Sequence, residues 1–134
     1  MKALFYIAST FVVGVVVGAL SSPTVNAQFR TVNTNRLLTV DLAGWCDGKE
    51  VTVEVSEFGP GTNGWHYHPG HSFTYVLEGS EDYVQEGQPV RTVKAGEVLH
   101  EEPKQLHKAD NQLPVKLLGV RLVEKGKPAS VRVP

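Results

Sequence analysis

Residues 50–58 read EVTVEVSEF, with Val51, Val53 and Val55 alternating with Thr52, Glu54 and Ser56. A two-residue period sends successive side chains to opposite faces, so the segment predicts a β-strand with one buried face. FTYVLEG follows the same rule, Phe73, Tyr75 and Leu77 against Thr74, Val76 and Glu78. RLLTVDL, EDYVQEG, VRTVKAG, EVLHEE, VKLLGVRLVE and SVRVP are further strand candidates. Turn residues separate them at short intervals: Gly59-Pro60-Gly61, Gly79, Gly87, Gly96 and Gly126. From Gln28 onward no segment sustains a helical period. Many short strands with glycine turns predict an all-β sandwich or small barrel, and the length suffices for one such domain.

The first 27 residues read differently. Lys2 precedes an apolar run from Ala3 to Leu20, a polar SSPT follows, and Val25-Asn26-Ala27 offers small residues at a signal-peptidase distance. Residues 1–27 are expected to be a signal peptide, cleaved after Ala27, which leaves a domain of residues 28–134 in the periplasm or secreted. A retained membrane anchor is the competing reading, because the run approaches spanning length. After cleavage no membrane contact is expected. A net charge of -1 gives no basic footprint for nucleic acid. Cys46 is the only cysteine, so the chain cannot form an internal disulfide.

Histidine is concentrated. Three of five histidines fall within GWHYHPGHSF, residues 64–73. His66 and His68 are two apart, so on an extended strand both rings leave one face and offer two nitrogens to one metal ion. In a barrel His107 can return beside them, and three neutral imidazoles make a competent metal site. Solvated loop histidines remain the alternative from spacing alone.

From Pro60 to Asn111 the chain resembles the cupins, small β-barrels with two sequence motifs. The first, G-x5-H-x-H-x3,4-E-x6-G, spans residues 60–79: His66, His68 and Gly79 are in register, with Pro60 at the first glycine and Ser72 at the glutamate. The second, G-x5-P-x-G-x2-H-x3-N, spans residues 96–111: Gly96, His107 and Asn111 match, with Glu102 at the proline and Lys104 at the second glycine. The resemblance implies a single-domain jelly-roll, a conical barrel or double-stranded β-helix. It implies that His66, His68 and His107 hold a divalent transition metal from the set Fe, Mn, Ni, Zn and Cu. Since the family's carboxylate is missing at Ser72, His71 is carried as a fourth candidate ligand that would have to swing in from the PGH turn. His100 is the candidate catalytic proton carrier at the barrel mouth. Trp65, Phe73 and Tyr75 are expected to pack, Tyr67 to face away from the metal, and Gln105 to line the rim. Glu101 and Glu102 are read equally as a carboxylate source or as a charged sheet edge. Two functions remain open: a metal-dependent oxygenase acting on a small organic molecule, or a non-catalytic metal- or ligand-binding protein. Pairing into a homodimer through strand edges is also open.

Overall fold

A computed structural model describes residues 32–134; the expected signal peptide and its expected cleavage site lie outside the described residues. The described chain is all β, with no helix. Eleven strands follow one another: β1 (Val32–Asp41), β2 (Lys49–Phe58), β3 (Gly61–Thr62), β4 (His66–Tyr67), β5 (Ser72–Glu78), β6 (Ser80–Gln85), β7 (Arg91–Lys94), β8 (Val98–Glu101), β9 (His107–Asn111), β10 (Val115–Glu124) and β11 (Val131–Arg132). One sheet runs β1-β2-β10-β5-β8; the other runs β11-β4-β9-β6-β7, with β3 also paired to β9. All pairings are antiparallel.

The alternation holds, but the buried face is not the apolar one. On β2, Thr52 and Ser56 are buried while Val51, Val53 and Val55 are only half-buried. On β5, Ser72, Thr74 and Val76 are buried, and Phe73, Tyr75 and Leu77 face outward. Phe73 and Tyr75 are therefore not core residues.

The register explains this inversion. Across the first sheet, Thr52, Arg121, Ser72 and Glu101 lie side by side at one end of the strands. Next come Glu54, Gly119, Thr74 and Leu99, and then Ser56, Leu117 and Val76. The interior thus grades from polar to apolar along the strands. Val76, Tyr83, Val93, Leu99, Val115 and Leu117 form the apolar cluster, with Phe58 packed against it. That cluster supplies the burial that stabilises the barrel. The other end is left free for polar chemistry.

Candidate metal centre

The polar end is built by one pair of facing strands from each sheet. In the second sheet, His66 on β4 stands directly opposite His107 on β9. In the first, Ser72 on β5 stands opposite Glu101 on β8. His68, two residues past His66, completes a buried trio: His66, His68 and His107 are 8%, 3% and 2% exposed. Each offers a ring nitrogen within 4.8 Å of the others.

The backbone fixes which nitrogens those are. His66 Nδ1 donates to Gly64 O at 2.9 Å, His68 Nδ1 to Ala129 O at 2.6 Å, and His107 Nδ1 to Gln105 O at 2.8 Å. A carbonyl can only accept, so each Nδ1 carries the proton and each Nε2 is left with a lone pair. Ala129 belongs to the C-terminal segment, which is tied down by β11 on β4 and by Val133 N–H donating to Trp65 O.

Glu101 is the fourth member. Its carboxylate is almost fully buried, 2.9 Å from His107 Nε2 and 3.4 Å from His68 Nε2. These separations suit ligands held about 2.0–2.2 Å from a shared ion. His107 Nε2 and Glu101 Oε2 have no hydrogen bond of good geometry. The 2.9 Å pair is His107 Nε2 and Glu101 Oε1, and two acceptors at that range, away from water, need a proton or a metal ion between them. The residues therefore fit a divalent metal. Ser72 Oγ, buried beside the carboxylate, makes no hydrogen bond of good geometry but favours its charged form.

Electrostatics agree with this arrangement. Burial pushes His66 down to about 4, and burial also lowers His68, so both rings are neutral at pH 7. Burial pushes His107 down as well, but the adjoining Glu101 carboxylate outweighs it and the net shift is upward. For Glu101 burial favours the neutral acid, yet His107 and His68 hold it below the usual carboxylate range. In the metal-free protein a proton on His107 can supply the missing cation.

Two expected residues are elsewhere. His71 does not swing in: it is exposed on the outer face, because strand alternation sends Ser72 inward and its neighbour outward. Gly70 fixes that turn, since a Cβ there would lie 1.7 Å from Leu122 O. His100 is also outside, opposite Phe73 in register and exposed, so it does not reach the barrel interior. Tyr67 is half-buried away from the trio, and Trp65 lies under Lys108 Nζ at 5.7 Å. Gln105 contributes its backbone carbonyl to His107. Glu101 was readable only as one of two adjacent acids; the parity of β8, with Leu99 inward, was the signal that singles it out.

A cavity of about 440 Å³ opens beside the trio, lined by His66, His68, Glu101, Thr74, Glu54 and Arg121 among others. Arg121 pairs with Glu54, and its Nε is buried without a partner. Gly119 makes room for the guanidinium, which a Cβ there would meet at 2.8 Å.

A sequence profile of the cupin domain matches residues 49–121. No curated protein matches the sequence. Solved structures are similar in fold. A cupin-like protein from Thermotoga maritima is 25% identical, with 78% of this chain and 79% of that one covered at a TM-score of 0.58. The DMSP lyase DddQ from Ruegeria pomeroyi is 16% identical at a TM-score of 0.61, over 76% of this chain but only 51% of the lyase. A recombinant oxalate oxidase in complex with glycolate is 23% identical at a TM-score of 0.56, over 85% of this chain and 58% of the oxidase. The chain thus spans about half the length of the lyase and somewhat more of the oxidase.

Proposed function

This chain belongs to the cupin family, and on that premise we propose that it is a metal-dependent oxygenase-type enzyme acting on a small organic acid outside the cytosol. The observation that carries the reading is the buried Glu101 carboxylate set against the His107 and His68 lone pairs. Three imidazoles and one carboxylate form a donor set suited to iron or manganese, since the carboxylate favours harder ions. A bound ion of that kind would supply a Lewis acid with open positions for substrate oxygen and dioxygen.

The chain's own residues do the rest. Backbone carbonyls on each Nδ1–H hold the three rings in one tautomer and orientation. Glu101, almost fully buried, would neutralise one positive charge of a bound ion. Arg121, braced by Glu54, keeps a buried N–H unpartnered on the cavity wall, where it suits a substrate carboxylate. Oxalate oxidase, whose structure holds glycolate, gives the scale of acid to try first. The leader-like first 27 residues support export.

The test is elemental analysis of protein purified from its native compartment, followed by oxygen uptake with oxalate, glycolate and simple phenols. Stoichiometric iron or manganese with oxygen consumed is the expected result. Metal without turnover on any substrate would leave a non-catalytic binding protein, and protein isolated free of metal would sink the reading. N-terminal sequencing of that protein should begin at Gln28.

A further inference from the structure

The two strands that carry Ser72 and Glu101 inward carry a second set of metal-binding side chains outward. His71 leads into β5, His100 lies on β8, and Glu102 follows the end of β8. His71 Nδ1 is 3.0 Å from His100 Nε2 and 3.5 Å from a Glu102 carboxylate oxygen. The other Glu102 oxygen lies 3.7 Å from His100 Nδ1. All three side chains are exposed. Among the described residues this is the one further group, besides the barrel trio, with three metal-binding side chains within 4.8 Å of one another.

We infer that His71, His100 and Glu102 form a second site for a divalent first-row ion, on the outer face of the barrel. Three features support it. The nitrogens of His71 and His100 already stand at about the spacing of neighbouring ligands on one ion, roughly 3 Å. That spacing is held by a hydrogen bond between the two rings, so the nitrogens are already gathered at one place for an ion to displace the proton. The His100 ring lies flat on Phe73, with centroids 4.7 Å apart and planes 7° apart. Stacking removes ring rotation that binding would otherwise have to freeze. Finally, Gly70 and the bond from Leu122 N–H to His71 O anchor the turn that presents His71.

Two imidazoles and one carboxylate, with water in the remaining positions, suit zinc, nickel or copper more than calcium or magnesium. The bound ion would join the entry of β5 to the exit of β8. It would clamp from outside the same two strands that carry Ser72 and Glu101 inside.

The experiment uses the full chain and does not depend on the barrel site. Equilibrium dialysis with Zn²⁺ is run on wild type and on the double variant His71→Ala/His100→Ala. The variant should bind one equivalent fewer than wild type, and equal stoichiometry would overturn the site. In wild type whose barrel site has first been filled with one equivalent of Zn²⁺, substoichiometric Ni²⁺ should broaden the ring-proton resonances of His71 and His100. Unbroadened resonances for both would overturn it as well, with no variant required to fold. His100→Ala alone should weaken this class of binding by more than about tenfold, since it removes a ligand rather than a supporting group.

Discussion

The two histidine clusters meet at β8, which turns Glu101 inward and His100 outward, and they use nearly the same kinds of side chain. Inside, three imidazoles and Glu101 are buried, and each imidazole spends its Nδ1–H on a backbone carbonyl. Outside, two imidazoles and Glu102 have side chains 46%, 40% and 59% exposed, and the rings bond to each other. Composition does not separate them. What separates them is that backbone wiring leaves each inner Nε2 with a lone pair, and burial leaves that of His107 without a hydrogen-bond partner. The inner cluster thus needs a cation, whereas the outer one merely accommodates it.

The largest effect should come from His66→Ala/His68→Ala. Removing two of the inner donors should take the barrel metal below detection by elemental analysis, while Zn²⁺ binding outside persists. Barrel metal retained at full occupancy would break the distinction between the clusters.

Glu101 sharpens it next. Glu101→Ser should weaken inner metal binding by more than about 100-fold, the upper range of supporting-residue changes. Because Ser72 faces Glu101 across the strands, the double variant Ser72→Glu/Glu101→Ser should recover much of that loss. It moves the carboxylate to the position the family's motif gives it. Ser72→Glu in the wild-type background should instead destabilise the metal-free barrel, by placing two carboxylates at one buried point. Competition titration with a chelator measures the first two and the denaturation midpoint of metal-free protein the third, and no recovery in the double variant would count against Glu101 as a ligand.

Acid should expose the inner cluster in the chelator-treated protein. His66 is held down to about 4 by burial, so its contribution is complete above its ordinary value of 6.5 and is lost as pH falls toward 4. At about 1.4 kcal/mol per unit this is on the order of 3 kcal/mol. His68 acts in the same direction. His107, raised by Glu101, acts oppositely: its contribution is present below 6.5 and lost as pH rises through its folded value. The expected net result is a fall in denaturation midpoint between pH 7 and 4.5. A flat profile would mean that the inner rings are not held neutral by burial.

Much of the fold was legible because strand alternation and glycine turns are local signals. β10, for instance, spans the residues 115–124 that its sequence marks. β9 was not legible: HKADN is polar, and it forms a strand because His107, Ala109 and Asn111 fill the interior between β4 and β6. The inner histidines followed from H-x-H spacing and motif register. Their carboxylate did not, because it reaches the site from a different strand, and cross-strand partnership is a tertiary fact that one chain's spacing leaves open. His71 is a candidate fourth ligand in the sequence only for want of that partner. The outward placement of His71 and His100 follows from the same parity that puts Ser72 and Glu101 inside.

The smallest effect concerns the loop between the clusters. Lys104 stands where the family's motif has glycine, and its φ is 62°, in the left-handed region. Its N–H donates to His68 O at 2.8 Å, so the loop from Glu102 to His107 is held in place beside the inner site. A left-handed non-glycine residue costs about 1–2 kcal/mol relative to glycine. Glycine in turn loosens the unfolded chain by about 0.4–1 kcal/mol. Lys104→Gly should therefore stabilise by about 0.5 kcal/mol, a Tm rise of about 2–4 °C for a domain of this size. Both metal sites should be unaffected, because the backbone bond to His68 survives and the lysine side chain is a ligand in neither. If the substitution instead weakened metal binding in one cluster alone, the loop would be tuning that site through the lysine side chain, and the two clusters would differ by more than burial and backbone wiring.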